Sequence, residues 1–330
     1  HHPSPITHHA SRPAFTLIEM LIVVTIIGIL AGLLLVGIQA ARSAARRAAI
    51  RMDIQQLQDA LERYKADVGE YPPDLSLLNH PNATVQLAAV QVVNRHLRKR
   101  WPRFQGGWAR VATLLSVPPP QGYGLDTTQL DQASSLAFWL CGLPSRPGDN
   151  KPAGFHQDAL NPFRPGGPRS QPYFEVNLAR FKLADGSRLR CYYYPPNVKE
   201  APYVYFRAQK APNGDDSYAF FERDPGAPSQ MVVAVRSWKS VDPDVGIAVP
   251  YRDPTTGWSA DGKYQILSAG LDGVFGVRPD PPAPAAQPVS PPPPEPSYPY
   301  PIVTSGMNFV DGDYDNLTSF ARNTLESGLD

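Results

Sequence analysis

Residues 15–38 read FTLIEMLIVVTIIGILAGLLLVGI, an unbroken apolar run that carries a single carboxylate, Glu19. About 24 residues at about 1.5 Å per residue form a helix of roughly 36 Å, enough to cross a hydrocarbon core about 30 Å thick. An ionisable side chain inside such a span is costly and by default indicates a functional contact. We therefore predict a transmembrane helix over 15–38 and assign Glu19 a role beyond anchoring.

The helical pattern continues past the apolar run. Apolar residues recur at alternating steps of four and three, which places them on one face of a helix: Ile50, Ile54, Leu57, Leu61, Tyr64 and Val68. Gly69 is suited to end the helix and Pro72-Pro73 prevents its return. Residues 39–72 are thus predicted to be the amphipathic half of one helix roughly 80 Å long.

The residues around the start of the run, Ala14-Phe15-Thr16-Leu17-Ile18-Glu19, resemble the processing signal of type IV pilins and type II secretion pseudopilins. The resemblance implies that residues 1–14 are a leader, which a prepilin peptidase removes between Ala14 and Phe15 before the new amino group is methylated. It also implies that Glu19 pairs with the amino group of Phe15 in a neighbouring subunit. The alternative is a simple anchor whose Glu19 lies at the headgroup level.

The resemblance further implies a single-pass protein of the bacterial inner membrane. Its head would lie outside the cytoplasm, and the subunit would enter a periplasmic or surface filament after assembly. One rule favours the opposite orientation, because basic residues follow the span at Arg42, Arg46, Arg47 and Arg51. Loops rich in Arg and Lys usually stay in the cytoplasm. The processing motif takes precedence here.

Residues 73–330 are expected to form a globular head. Hydrophobic content of 42% supports a packed core, and a net charge of +1 argues against a polyelectrolyte partner. Helical patterns come first and strand patterns later, which favours an α+β fold over an α/β fold. We predict a pilin-like lollipop, in which the long helix packs on an antiparallel sheet. The head is divided into a helical insertion (79–150), the sheet (151–278), a Pro-rich loop (279–301) and an acidic C-terminal segment (302–330).

Two features of the head allow more than one interpretation. The basic cluster of residues 95–103 includes Trp101 and could contact a nucleic-acid backbone, but cations are also favoured at a helix C-terminus and on solvated faces. The tract 279–301 holds a dozen prolines. It favours polyproline II and either docks on an aromatic groove or forms a stiff exposed loop.

A calcium site is predicted near the C-terminus. Residues 263–273 (KYQILSAGLDG) resemble the segment that begins the calcium-binding loop of the major type II pseudopilin. Residues 311–316 (DGDYDN) add carboxylates, the oxygen ligands that calcium prefers. The candidate ligands are Asp272, Asp311, Asp313, Asp315 and Asn316. The alternative is a solvated acidic turn.

Cys141 and Cys191 either form one disulfide in an oxidising compartment or remain buried thiols. No hydrolase, metalloprotease, nucleotide-binding or dinucleotide-binding motif occurs, so we do not expect an enzyme. The sequence predicts a structural subunit of a type II secretion or type IV pilus-like filament. Its expected partners are other pilin-like subunits, the prepilin peptidase and an inner-membrane assembly platform. The alternatives are a calcium-dependent surface-binding module on a pilin-type anchor, and a DNA-uptake pseudopilin.

Overall fold

The computed structural model of the chain describes residues 17–75, 77–79, 83–210, 216–223, 231–235, 238–239, 245–253, 257–258, 263–275 and 316–319. The helices of this described part are α1 (Leu17–Val68), α2 (Ala83–Arg100), α3 (Gly107–Ser116) and α4 (Gln132–Cys141), and a short 3₁₀ helix covers Leu178–Arg180. The strands are β1 (Phe181–Asp185), β2 (Arg188–Tyr193), β3 (Val204–Arg207), β4 (Gln209–Lys210), β5 (Asp216–Ser217), β6 (Ala219–Arg223), β7 (Met231–Val235), β8 (Trp238–Lys239), β9 (Ile247–Ala248), β10 (Arg252–Asp253), β11 (Gly257–Trp258), β12 (Tyr264–Ser268) and β13 (Leu317–Thr318).

By its internal contacts the chain divides into two units, 1–45 and 46–330. In the first unit, the described residues form the N-terminal part of α1, whose large apolar side chains are exposed; Leu17 is 86% and Leu33 is 70% accessible. Among the described residues, α1 alone is long and apolar enough to cross a membrane. A membrane stabilises this part of α1, because the hydrocarbon core removes its apolar side chains from water.

In the second unit, α1 presents one buried face to the head. Ile50, Ile54, Leu57, Leu61 and Tyr64 are all at most 3% exposed, which confirms the periodicity read from the sequence. Burying a large aliphatic side chain contributes about 1.5–3 kcal/mol relative to leaving it in water. This buried face therefore packs the 50–64 part of α1 against the core of the head.

Helix α1 ends at Val68, immediately before the glycine that was predicted to end it. Gly69 has φ +84°, and its N–H donates to the Lys65 carbonyl at 2.7 Å. This left-handed conformation is easy for glycine and strained for other residues. The next turn leads into Pro72-Pro73, whose carbonyls accept hydrogen bonds from the Tyr205 hydroxyl at 2.8 Å and the Trp139 indole at 3.0 Å, respectively.

Helix α4 is buried along its whole length. Asp131 caps its first turn, since its side chain accepts the Ser134 N–H while the Ser134 hydroxyl is paired with the Asp131 N–H. Gly142 ends the helix with φ +70° against Gly154, which has φ +86°. A Cβ on Gly142 would lie 2.4 Å from the Gly154 carbonyl carbon, so the close approach requires glycine.

All the ladders between the described strands are antiparallel. The longest arrangement has the order β13-β12-β3, with Leu267 opposite both Val204 and Thr318. Its central strand β12 is wholly buried. The other described strands pair two by two. Helices precede strands and the pairing is antiparallel, so the α+β pilin-like fold class is confirmed.

Candidate functional site: the first helix and its buried partners

Glu19 lies in the first turn of α1, and the residue is exposed. Gly28, Gly32 and Gly37 lie further along the same stretch, and a Cβ added at any of them would have no other atom within 4 Å. Small residues on an exposed apolar helix allow other helices to approach closely. Ala14 and Phe15, the predicted processing residues, lie outside the described part of the chain.

A buried ion pair connects α1 to the residues around the β1–β2 hairpin. Both carboxylate oxygens of Asp53 accept hydrogen bonds from the Arg180 guanidinium, one of them at 3.2 Å. The Tyr203 hydroxyl donates to the same carboxylate at 3.1 Å, and Arg180 also donates to the Tyr194 carbonyl at 3.2 Å. The guanidinium carbon lies 4.8 Å from the centre of the Tyr193 ring. A bidentate ion pair of this kind fixes the relative orientation of the two side chains, and each charge compensates the other.

A second buried cluster lies at the C-terminal end of α1. His96 Nδ1 is 2.7 Å from Glu70 Oε1, and His96 Nε2 is 2.6 Å from the Tyr64 hydroxyl. The other Glu70 oxygen is 3.3 Å from the Arg207 guanidinium and 3.9 Å from the Lys99 ammonium. The cluster thus joins the end of α1 to α2 and β3.

The charges in this cluster follow from burial and pairing. The hydrogen bond from His96, aided by Arg207 and Lys99, lowers the pKa of Glu70 to about 2. Burial lowers the pKa of His96 to about 4, against the opposing effect of Glu70. At neutral pH the carboxylate is charged and the imidazole is neutral. Nδ1–H therefore donates to Glu70, and Nε2 accepts from Tyr64.

The arrangement resembles a carboxylate–histidine–hydroxyl relay, but its surroundings favour a structural role. Tyr64 and His96 are both 0% exposed, so the hydroxyl does not face solvent or a substrate. Burial raises the pKa of Tyr64 well above its ordinary value. The neighbouring Arg100 guanidinium lies 4.5–5.3 Å from the centres of four aromatic rings, those of Tyr64, Trp101, Phe155 and Tyr173. Cation–π contacts of this kind stabilise packing when they are desolvated.

Sequence reasoning missed both clusters. The two partners of His96 lie 26 and 32 residues away in the chain. The available signal was local: His96 lies between Val93 and Leu97 on the apolar face of α2. A polar side chain on such a face requires a buried partner.

The predicted calcium ligands are only partly within the described residues. Asp272 is exposed in the turn after β12, where its Oδ1 accepts the Val274 N–H at 2.8 Å. Asn316 is buried beside the start of β13 and donates to the Tyr251 hydroxyl at 3.0 Å. The β12–β13 register brings residue 316 to the end of the ladder from which the 269–273 turn begins. Asp311, Asp313 and Asp315 lie outside the described residues, within which no group of three metal-binding side chains occurs.

The two cysteines are buried free thiols in the structure, one at the end of α4 and the other in β2. Burial raises the pKa of both thiols, so they are protonated at neutral pH. Protonated thiols are poor nucleophiles. Neither cysteine therefore has the environment of a reactive site.

Comparison with known proteins gives a family model and a curated relative that match parts of the chain. Residues 11–35 match a family model described as the prokaryotic N-terminal methylation motif. The chain is also 39% identical over 62 residues to the type II secretion system core protein G of Klebsiella michiganensis. That alignment covers 19% of this chain and 44% of the relative, so the match spans less than half of the relative's length. No solved structure matches the chain.

The methylation motif and the similarity to a core protein G confirm the resemblance to type IV pilins and type II secretion pseudopilins that was read from the sequence. The exposed apolar helix and the α+β head agree with that resemblance. Within that class, the chain is similar to a core protein G of the type II secretion system.

Proposed function

We propose that this chain is a structural subunit that polymerises into a periplasmic or surface filament of a type II secretion or type IV pilus-like system. The main support is the exposed apolar stretch of α1 with Glu19 in its first turn, together with the methylation motif matched over residues 11–35. The subunit has no catalytic role in this proposal. Its partners are other pilin-like subunits, a prepilin peptidase and an inner-membrane assembly platform.

The physical basis of polymerisation is the exchange of lipid contacts for helix contacts. The apolar stretch is stable in a membrane, and its glycines permit close packing beside the same stretch of other subunits. In such a bundle, Glu19 would pair with the amino group of Phe15 of a neighbouring subunit. Each charge then has a partner where water is scarce, which offsets part of the cost of burial.

Processing is tested by mass spectrometry of the full chain expressed with a prepilin peptidase. We expect a mature N-terminus at Phe15 carrying one methyl group. A variant with Ala14→Pro is the control, because proline beside the cut should block cleavage. An N-terminus that keeps residues 1–14 in the presence of an active peptidase would overturn the proposal.

Assembly is tested by Glu19→Ala, with Thr25→Val in the same stretch as the control. Thr25 donates only to the Leu21 carbonyl of its own helix, so its replacement should be neutral. Loss of Glu19 leaves the Phe15 amino group unpaired, and we expect filament incorporation to fall about tenfold or more while membrane insertion is kept. Sheared filaments and membranes are quantified separately. Equal incorporation of the two variants would contradict the assigned role.

The calcium-dependent alternative is supported by the convergence of residue 316 and the 269–273 turn at one end of the β12–β13 ladder. Calcium would be held by Asp272, Asp311, Asp313, Asp315 and Asn316. If it binds, the melting temperature of the detergent-solubilised full chain should be several degrees higher in calcium than in EDTA, because a ligand of the native state stabilises it. Magnesium serves as the control. The same melting temperature in both solutions would exclude this site.

The DNA-uptake alternative is supported by the charge distribution around α2 and α3. Residues 75–125 contain six Arg or Lys side chains and no Asp or Glu, although the whole chain has a net charge of only +1. Arg95, Arg98, Arg103 and Arg110 are exposed and make no ion pair with a described residue. This alternative predicts DNA binding that weakens steeply with salt and is lost when these arginines are replaced by glutamine.

A further inference from the structure

A groove of about 720 Å³ lies on the head where the β1–β2 hairpin ends. Two chain segments line it, residues 177–182 and residues 194–199. They are held together by the β1–β2 ladder, in which Phe181 is opposite Tyr193, and by the Tyr194 N–H donating to the Arg180 carbonyl at 2.9 Å. Arg180 is fixed by Asp53, so this wall of the groove is anchored to α1.

The groove is lined by apolar, amide and cationic side chains. It combines the Tyr194 ring and Pro195-Pro196 with the amides of Asn177 and Asn197. Its cations are Arg180, Lys182 and Lys199, and none of the described residues that line it carries a carboxylate. Two carboxylates lie beside the groove: Asp185 is 3.2 Å from Lys182, and Glu200 accepts the Lys199 N–H at 3.0 Å. The groove thus suits an extended, apolar and acidic segment with carbonyl groups to be hydrogen-bonded.

The chain leaves its described part beside this groove. A Cβ built on Gly273 would lie 3.5 Å from Val198, a groove residue, and Phe275 packs in the same core cluster as Val198. Residue 279, the first of the Pro-rich tract, comes four residues after Phe275. Four residues span at most about 14 Å when extended, so the tract starts within reach of the groove.

The composition of the tract matches the lining. Residues 279–301 contain twelve prolines, two acidic residues (Asp280 and Glu295) and no basic residue. A polyproline II segment has no internal hydrogen bonds, so its carbonyls are available to amide donors such as those of asparagine. It also loses little conformational entropy on binding, and aromatic-lined grooves are its usual receptors.

We propose that the groove is the docking site of the chain's own Pro-rich segment 279–301, bound as polyproline II with Glu295 toward Lys199. The assignment is independent of the filament proposal. It gives the tract a specific receptor on the head surface. Asn197 has φ +65°, which keeps the amide at the rim of the groove in a turn that few residue types tolerate.

The test uses the full chain from which 279–301 has been deleted and a fluorescein-labelled peptide with the sequence of residues 286–301. Fluorescence anisotropy in detergent should show saturable binding to the deleted chain. The intact chain should bind the peptide at least about tenfold more weakly, because its own segment competes at high effective concentration. Absence of saturable binding to the deleted chain, or equal affinity of the two chains, would overturn the proposal.

Groove variants locate the binding. In the deleted chain, Lys199→Glu should weaken the peptide about fivefold, the expected size of one exposed charge pair. A peptide with Glu295→Lys should bind weakly to the deleted chain and regain affinity on Lys199→Glu. Asn197→Asp keeps a residue type that tolerates positive φ and should also weaken binding, since it adds a like charge. Lys263→Glu, at an exposed lysine before the end of β12 that is opposite to the 269–273 turn, is the matched control; if it weakens binding as much as Lys199→Glu does, the groove is not the site.

Discussion

At the residue scale, the polar side chains buried in the head are paired over long distances in sequence. Tyr64, His96 and Glu70 form one connected chain of hydrogen bonds, although His96 belongs to α2 and the other two lie at the C-terminal end of α1. Leaving any one of them without its partner would cost about 1–3 kcal/mol, because a buried polar group would lose its hydrogen bond. Their effect on stability therefore depends on their protonation states.

We predict that the head loses stability as the pH falls from about 6.5 to 4. The pKa of His96 is about 4 in the folded chain, below its ordinary value of 6.5, so the unfolded chain takes up a proton first. The free energy of unfolding should decrease by about 2–3 kcal/mol across this window. The low pKa of Glu70, about 2, adds a further loss between pH 4.5 and 2.

Urea unfolding of the full chain at several pH values, followed by tryptophan fluorescence, measures this effect. His96→Asn removes the titrating group and should flatten the pH dependence between 6.5 and 4. Substitution of His1 and His2 by Asn is the control for histidine content. The same pH slope in wild type and His96→Asn would refute the assignment.

At the element scale, α1 is held in the head by one apolar face and one buried ion pair. We predict that Asp53→Asn lowers the free energy of unfolding by about 3 kcal/mol, because it leaves the largely buried Arg180 guanidinium without its counter-charge. Asp59→Asn on the exposed side of the same helix is the control and should change stability by less than about 0.5 kcal/mol. Equal losses in the free energy of unfolding of the two variants would show that the ion pair contributes little to stability.

The close packing after α4 leads to a prediction with a built-in control. Gly154 and Gly148 both have positive φ, +86° and +89°, so alanine strains the backbone at either position. A Cβ on Gly154 would lie 1.9 Å from the Ser170 carbonyl oxygen, whereas one on Gly148 would meet no atom within 4 Å. Gly148→Ala should cost about 1–2 kcal/mol, and Gly154→Ala several kcal/mol more because its backbone must shift. Thermal unfolding by circular dichroism compares the two, and similar melting temperatures would contradict the packing argument.

Periodicity predicted the elements that local sequence controls. Helix α1 was predicted to end at Gly69, and its last residue is Val68. Helix α3 was missed, because its sequence GWARVATLLS follows Gly106 and starts with Gly107, which disfavours a helix start. Its first turn depends on Asn94 of α2, whose side chain accepts the Trp108 N–H at 2.6 Å. The contact between α2 and α3 therefore stabilises a helix start that the local sequence does not favour.

At the scale of the whole molecule, exposed large apolar side chains are concentrated in one stretch. Most of those described lie between Leu17 and Ile38. We predict that a chain beginning at Arg46, the first residue of the second unit, is soluble, monomeric and folded without detergent. Size-exclusion chromatography and near-ultraviolet circular dichroism measure this. Aggregation, or loss of the aromatic signal, would show that the first unit is required for folding.

The core of the head and its polar network could not be predicted from the sequence. The motif at 11–35 and the apolar run were sufficient to predict the class of protein, because both are local in sequence. The Asp53–Arg180 pair joins residues 127 apart, and such a pairing has no local signature. The candidate groove likewise combines two segments, neither of which has a recognisable motif.

The contacts between α1 and the head run along the helix from Ile50 to Tyr64, over about 21 Å. A pulling force applied along the axis of α1 would load these contacts simultaneously, in shear, rather than peeling them apart one by one. The Asp53–Arg180 pair adds a charged link near the N-terminal end of this contact. We therefore expect high mechanical resistance along this axis and much lower resistance when the helix is pulled sideways.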